Sequence, residues 1–220
     1  MSAGRRLMFV VNNPAFFMSH RVPVALAAQR AGYDVHVATM DGPAVADIQA
    51  LGMTHHAIPM TRSGKHPLQE LGTLLALVRL FRRVRPDVVH LVTIKPVLYG
   101  GIAARLARVR GMVAAISGLG FVFLSNSLKM RLVRSVVARL YRIALGHPNS
   151  RVIFQNANDR DLLKSLGAVR DAQVVMIRGA GVDLDAYRAL PEPPAPPVVV
   201  TMVARLLRDK GVQELSLIHI

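Results

Sequence analysis

Polar and glycine residues that could bind a ligand follow three apolar runs of this 220-residue sequence. The run LMFVV leads into NNPAFFMSHRVP, the run DVVHLV into TIKP, and the run MVAAI into SGLG. The polar side chains can donate hydrogen bonds or carry positive charge, and the glycines let backbone amides approach a ligand closely. The candidate ligand-binding residues are Asn12, Asn13, His20, Arg21, Thr93, Lys95, Ser117, Gly118 and Gly120.

Purely structural roles are the alternative for several of these residues. The asparagines and the following proline could simply build a turn, Ser19 or His20 could cap a helix, and Lys95 could be an ordinary exposed lysine. A binding role is favoured because all of these residues directly follow predicted strands. Ligands of open α/β sheets bind at the carboxyl ends of the strands.

Short apolar runs alternate with longer segments of helical period along the chain. This alternation predicts the strands and helices that position the candidate binding residues. Strands are predicted at 7–11, 34–39, 54–58, 87–92, 112–117, 151–155 and 173–177, and helices near 20–31, 43–51, 68–84, 97–108, 127–146 and 158–166. The alternation predicts an α/β fold with a doubly wound, mostly parallel, Rossmann-like sheet. The first strand-to-helix turn contains no glycine, which disfavours a nicotinamide or flavin enzyme. Gly100 and Gly101 should permit close packing of the helix that follows them.

No metal site is predicted. The sequence has no Cys, and His55 and His56 are adjacent in a strand, so they should point to opposite faces. Two Asp-x-Asp strings, at 159–161 and 183–185, could hold Mg²⁺ or Mn²⁺ beside a diphosphate. The first fits the opening of a helix and the second fits a turn, so we interpret both as structural.

The net charge of +15 and the isoelectric point near 11.5 predict an anionic partner. Nucleic acid is disfavoured, because aromatic residues are only 5% of the chain, Trp is absent and no known binding motif is present. No stretch approaches the roughly 20 apolar residues that span a bilayer. We therefore expect a cytoplasmic protein, with peripheral attachment to the inner face of the cytoplasmic membrane as an option.

A basic amphipathic helix at 127–146 could provide that attachment. At 100° per residue, Leu132, Val133, Val136, Val137, Leu140, Ile143 and Ala144 share one face, and Arg131, Arg134, Arg139 and Arg142 lie opposite. The alternative is an ordinary surface helix whose apolar face joins the core. The segment 78–86, with Arg79, Arg82, Arg83 and Arg85, has the same two interpretations.

The composition changes near residue 190, where LPEPPAPP cannot continue a helix or a central strand. We predict a first domain at 1–190, a Pro-rich linker at 191–197 and the start of a second domain at 198–220.

The basic turn of the second domain could bind a nucleotide diphosphate. Arg205 and Lys210 would neutralise two phosphates, and Gly211 would admit the backbone closely before the next helix.

In order and spacing, these strings resemble family 4 glycosyltransferases of the GT-B fold. The resemblance extends from SHRVP through HLVTIKPVLYGG and SGLGFVF to GAGVDLDAY and VARLLRDKG, and is closest to the branch that builds bacterial surface polysaccharides and lipid-linked oligosaccharides. It implies two Rossmann-like domains, an N-terminal one that receives the acceptor and a C-terminal one that holds a nucleotide-sugar. It also implies that Arg205 and Lys210 grip the donor diphosphate, and that a donor-side loop contains Gly179, Gly181, Val182 and Asp183.

The implied reaction transfers a sugar, with retention of configuration, to a glycan or polyprenyl-diphosphate-linked acceptor, without a metal or other cofactor. Many relatives have a His where this chain has Ser117-Gly118-Leu119-Gly120, so no catalytic residue is assigned. The family's C-terminal pair of Glu residues is missing, and we expect a truncated second domain and no activity of the chain alone. A non-catalytic acceptor-binding or membrane-docking module and a GT-B nucleotide-sugar epimerase are the alternatives, although VARLLRDKG favours a transferase.

Overall fold

The computed structural model describes residues 4–60, 67–119, 128–179, 181–192, 194, 196, 201–204, 206 and 211–217, with the side chains of 128–134 left out. The chain forms two compact units, Met1–Gly181 and Val182–Ile220. The domain boundaries expected at 190 and 197 stay predictions.

The first unit is built on a seven-stranded sheet with the strand order β3-β2-β1-β4-β5-β6-β7. Each pair of neighbouring strands is parallel. The strands are β1 Arg6–Val11, β2 Asp34–Thr39, β3 Thr54–Ala57, β4 Val88–Val92, β5 Gly111–Ile116, β6 Ser150–Phe154 and β7 Val174–Met176. All seven strands predicted between residues 7 and 177 are present, and the doubly wound α/β fold is confirmed. A further strand predicted to begin at Val198 is not formed at the described residues 201–204.

Helices cover both faces of this sheet. In the first unit they are α1 Pro14–His20, α2 Val22–Arg30, α3 Val45–Ala50, α4 Pro67–Val84, α5 Gly101–Leu106, α6 Leu128–Leu145 and α7 Ala157–Ser165, and the second unit contains α8 Val212–Leu217. One core lies between the sheet and α1, α2 and α3, around Phe9, Phe17 and Ile48. The other lies under α4, α5, α6 and α7, around Leu77, Tyr141 and Leu163. Within the described residues, no helix combines the length and hydropathy needed to cross a bilayer.

Helix α1 is the main difference from the prediction, which began the first helix near residue 20. The side-chain oxygen of Asn13 accepts hydrogen bonds from the backbone N–H groups of Ala15 (2.8 Å) and Phe16 (3.4 Å), and so caps a helix that begins at Pro14. The helix stops after His20, because Pro23 has no N–H to continue it. Arg21 therefore lies at the junction of α1 and α2.

The close packing expected at Gly100 and Gly101 is confirmed. A Cβ atom added to Gly101 would lie 2.6 Å from the backbone oxygen of Ala144 in α6, and one added to Gly100 would lie 2.7 Å from the Leu91 side chain. At position 101 only glycine lets α5 approach the backbone of α6 this closely, whereas the Leu91 side chain near Gly100 could shift.

Helix α6 packs on the core through only part of its apolar arc. Val136 and Ile143, two residues of the apolar face predicted for this helix, are 53% and 44% exposed. The buried side instead consists of Ala138, Tyr141, Ala144 and Leu145. The apolar arc is wider than the core contact, so part of it faces outward beside the exposed Arg139 and Arg142. The side chains of Arg131 and Arg134 lie outside the described residues.

Candidate functional site

A cavity of about 420 Å³ opens at the carboxyl ends of β1 and β4. Its lining brings together Asn12, Asn13 and Thr93, three of the residues predicted from the sequence, and adds Ala15, Phe16 and Ser19 of α1. The cavity forms because β1 and β4 are neighbours in the sheet and α1 begins directly above their ends. This is the edge at which ligands bind in open parallel sheets.

Thr93 is the most unusual residue of the cavity wall. Its φ angle of 75° lies in the left-handed region, where a β-branched residue is strained. Its hydroxyl oxygen is buried and has no hydrogen-bond partner within the described part of the chain. A strained backbone and a buried, unpaired hydroxyl are costs of the kind that cluster at functional sites.

Ser19 and His20 form a small polar unit at the end of α1. The Ser19 hydroxyl lies 2.6 Å from His20 Nδ1 and 3.0 Å from the backbone oxygen of Ala15. The His20 ring stacks on Phe16 at 4.2 Å and 6°. His20 therefore holds Ser19 and Phe16, which both line the cavity, in place. A purely capping role for Ser19 or His20 at the start of a helix does not fit, because both lie in the last turn of α1.

Arg21 and His90 are two buried polar residues that lie close enough for the charge of Arg21 to act on His90. Burial lowers the pKa of the Arg21 guanidinium. Burial and then the charge of Arg21 lower the pKa of His90 to about 3, so this histidine is neutral in the folded protein. Arg21 Nε and His90 Nε2 are buried and have no hydrogen-bond partner among the described residues. His90 was not among the predicted site residues, although a histidine within the apolar run DVVHLV was a visible signal.

Lys95 is not an ordinary exposed lysine. Its ammonium group lies 2.6 Å from the Glu70 carboxylate of α4, and both side chains are mostly buried. Burial and a hydrogen bond to Glu70 raise the pKa of the Tyr99 phenol. The Lys95–Glu70 pair thus joins the end of β4 to the start of α4. A direct role of Lys95 in acceptor binding stays a prediction.

The third predicted turn lies partly outside the described residues. Ser117 is exposed, and Gly118 has a φ angle of 138°, which favours glycine. Gly120 is among the residues that the structure does not describe. The contribution of this turn to the cavity therefore stays a prediction.

The donor-side residues are described only in part, and Arg205 and Lys210 lie outside the described residues. Gly179, Gly181 and Gly211 all have positive φ angles, between 75° and 80°. The Asp183 carboxylate accepts hydrogen bonds from the backbone N–H groups of Asp185 (2.9 Å) and Ala186 (3.2 Å), which confirms a turn there. Val182 is exposed. The donor role of this loop is untested.

The acidic strings and the histidines have structural partners. Asp159 lies in the first turn of α7 and accepts a hydrogen bond from the Asn156 side chain at 2.7 Å, as a helix-opening residue should. His55 and His56 point to opposite faces, as expected. His55 contacts Thr39 Oγ1 at 2.9 Å, and His56 contacts His36 Nδ1 at 2.9 Å. Within the described residues, no three His, Cys, Asp or Glu side chains are arranged to hold a metal ion.

Comparison with known proteins gives this fold a family context. The family model described as glycosyl transferase 4-like matches residues 6–156. A curated relative from Campylobacter jejuni, N,N'-diacetylbacillosaminyl-diphospho-undecaprenol alpha-1,3-N-acetylgalactosaminyltransferase, is 22% identical over 95% of this chain and 58% of its own length. The chain thus spans little more than half of that relative.

Two solved structures show the same fold at low sequence identity. A glycosyltransferase from Rickettsia africae superposes with a TM-score of 0.60 at 15% identity, over 84% of this chain and 45% of that one. The UDP-GlcNAc 2-epimerase from Neisseria meningitidis, solved with UDP-GlcNAc, gives 0.54 at 12% identity, over 78% of this chain and 46% of its own.

Proposed function

Because the chain belongs to the glycosyl transferase 4-like family, we propose that it is the acceptor-binding part of a glycosyltransferase acting on a polyprenyl-diphosphate-linked glycan. The acceptor class follows the curated Campylobacter relative, whose name specifies a diphospho-undecaprenol acceptor. The donor would be a nucleotide-sugar. The Neisseria epimerase, which shares the fold, was solved with a molecule of this class, UDP-GlcNAc. The membrane contact predicted at Arg131, Arg134, Arg139 and Arg142 belongs to the same proposal.

The cavity at the ends of β1 and β4 carries this proposal. Asn12 and Ser19 offer amide and hydroxyl groups suited to the hydroxyls of a sugar, and Phe16 offers an apolar ring surface. The volume of about 420 Å³ is in the range of small-molecule sites.

In the proposed reaction, the main task of the acceptor-binding residues is to hold the acceptor hydroxyl in position for attack. The acceptor hydroxyl would attack the donor sugar from the face that the diphosphate leaves, which retains the configuration. Arg205 and Lys210 would stabilise the charge that develops on the departing diphosphate. No metal enters this scheme, in which the two basic side chains supply the positive charge.

Acceptor binding by the 220-residue chain tests the proposal. The probe is a water-soluble analogue with a short prenyl chain, a diphosphate and one N-acetylated hexosamine, titrated by calorimetry without a donor. Asn12→Ala and Ser19→Ala should each raise the dissociation constant about fivefold, the loss expected for one hydrogen bond.

The control is Gln49→Ala, which changes an exposed residue of α3 away from the cavity. It should bind the analogue like the unmodified chain. Absence of binding to the unmodified chain, or equal binding by all variants, would contradict an acceptor site in this cavity.

A further inference from the structure

A cavity of about 480 Å³ opens at the amino ends of β4 and β5. Asp87 directly precedes β4 and Arg110 directly precedes β5, and both residues line it. The candidate acceptor cavity lies at the carboxyl ends of the strands, so the two cavities are at opposite ends of the sheet. At about 3.3 Å per residue, Asp87 and Thr93 lie roughly 20 Å apart along β4. We call the site at the amino ends the arginine cavity.

The arginine cavity combines positive charge with an apolar wall. Its charged lining consists of Arg82, Arg85, Arg108, Arg110 and Asp87. The buried side chains of Phe81 and Val109 supply apolar surface. Because the arginines outnumber the carboxylate, the cavity is electropositive and attracts anions.

Two of these arginines already have protein partners. Arg110 Nη1 lies 3.1 Å from the Asp87 carboxylate, and Arg82 Nη2 lies 3.5 Å from the backbone oxygen of Leu106. Within the part of the chain that the structure describes, the guanidinium groups of Arg85 and Arg108 form neither an ion pair nor a hydrogen bond. These two groups are therefore available to a ligand.

Arg85 and Arg108 also have an unfavourable backbone conformation. Their φ angles are 52° and 56°, in the left-handed region that residues with a Cβ atom rarely adopt. Arg85 directly follows α4, and Arg108 lies two residues after the end of α5. In this region of a helix end, the left-handed residue is most often glycine.

Other helices of this chain do end with glycine. Gly32, Gly52 and Gly167 follow α2, α3 and α7, and their φ angles lie between 64° and 84°. The hydrogen bonds at Arg108 match those at Gly32 and Gly167, because in each case this residue and the next one donate backbone N–H groups to the last turns of the helix. Glycine would adopt this geometry at lower cost, so the ending of the helix does not explain the arginine.

We propose that the arginine cavity binds a small phosphate-bearing molecule, and that Arg85 and Arg108 hold its phosphate groups. A guanidinium group can donate two parallel hydrogen bonds to phosphate oxygens, and it stays charged at physiological pH. The apolar wall would contact the carbon part of the ligand. The residues of this cavity are not among the predicted acceptor or donor residues, so the inference does not rest on the proposed function.

The shape and charge of the cavity favour a small phosphate compound over an acidic protein segment. A concave site of this volume is in the range of small-molecule sites, whereas stable protein partners bury much larger surfaces. A phosphate group also concentrates up to about two negative charges on one centre at neutral pH, which suits several arginines around one cavity.

Calorimetric titration of the 220-residue chain with inorganic diphosphate at physiological salt tests the inference. The parent chain for this experiment carries Arg205→Gln and Lys210→Gln, because these two residues are predicted to bind the diphosphate of the donor. This parent should bind diphosphate. Arg85→Gln and Arg108→Gln, added singly, should each raise the dissociation constant about tenfold, the loss expected for one charge-assisted contact.

A matched control removes two charges outside the cavity, by Arg30→Gln with Arg178→Gln, both at exposed residues. It should bind diphosphate within about twofold of the parent, because salt screens distant charges. The variant Arg108→Lys keeps the charge but loses the planar fork, so its dissociation constant should lie between those of the parent and Arg108→Gln.

Thermal unfolding separates a binding role from a structural one. Arg85→Gly and Arg108→Gly relieve the left-handed strain, so each should raise Tm by about 2 °C while it weakens diphosphate binding. The glutamine variants keep the strain and should have the Tm of the parent. An arginine retained for the fold would instead lower Tm when it is replaced by glycine.

Several outcomes would overturn the inference. They are no binding of diphosphate to the parent chain, equal affinity of the parent, the control and the Arg85 and Arg108 variants, and a lower Tm in both glycine variants. A polyglutamate peptide that binds through Arg85 and Arg108 when diphosphate does not would identify an acidic protein segment as the occupant. The short-chain acceptor analogue should bind equally to the parent and to these variants, which reports on the proposed function separately.

Discussion

At the edge of the sheet, some single residues adopt conformations that lower the stability of the protein without being needed for the fold. Thr93 adopts a left-handed backbone with a branched side chain and buries an unpaired hydroxyl. Costs of this kind amount to about 1–3 kcal/mol and persist where the surrounding structure enforces them. The sequence predicted Thr93 as a site residue from its position after a strand, but its backbone angle depends on how β4 leads into the turn at Pro96. That detail is not encoded in local spacing.

His90 gives a prediction about pH. Its pKa is about 3 in the folded chain, against about 6.5 in the unfolded chain, so the unfolded state takes up a proton first as pH falls. The stability that the neutral ring contributes is complete above pH 6.5 and decreases below it, by at most about 1.4 kcal/mol per pH unit until pH 3. His90→Phe keeps an aromatic ring against Phe9 and should remove this part of the slope.

Urea unfolding at several pH values between 4 and 7 measures the difference between the two proteins. The free energy of unfolding of the unmodified chain should fall more steeply with acidification than that of His90→Phe. Parallel curves would show that His90 titrates normally and is not held neutral. The carboxylates and the other histidines titrate in both proteins, so their contributions cancel in the comparison.

Among the secondary-structure elements, the positions of the strands were predicted well from the sequence, whereas the start of α1 and the buried side of α6 were not. Each central strand is a short apolar run between breakers, so its location depends on local composition. Helix α1 depends on one side-chain cap at Asn13, which the sequence equally allowed to be a turn. For α6, the apolar arc located the helix, but the core contact depends on α5 and the sheet, which fix Tyr141 as the buried centre.

Two glycines in different helices should respond oppositely to the same substitution. Gly101→Ala places a methyl group 2.6 Å from the Ala144 backbone oxygen and should lower the free energy of unfolding by about 1–3 kcal/mol. Gly72→Ala meets open space within α4 and should raise it by about 0.5–1 kcal/mol. Chemical denaturation of the two variants and the unmodified chain provides the values. A neutral Gly101→Ala would mean that α5 and α6 separate easily.

For the molecule as a whole, the sheet order determines which distant residues meet. The predicted doubly wound, Rossmann-like sheet has its first strand at the centre, and the structure accordingly places β1 between β2 and β4. The proximity of Arg21 to His90 and the Lys95–Glu70 pair depend on that order and also on side-chain packing, which local spacing does not encode.

The net charge of +15 raises the question of whether binding to anionic vesicles, expected from the proposed membrane contact, would depend on the whole protein or on α6 alone. A triple variant with Arg131, Arg134 and Arg139 changed to Gln removes three positive charges from α6. A matched variant removes three from elsewhere, by changing the exposed Arg5, Arg30 and Arg151 to Gln. Long-range attraction depends on total charge and is screened within about 8 Å at physiological salt, whereas headgroup contact depends on position. At physiological salt the α6 variant should therefore bind vesicles of phosphatidylcholine mixed with phosphatidylglycerol several-fold more weakly than the matched variant, and equal weakening of both would mean that total charge, not α6, holds the protein at the membrane.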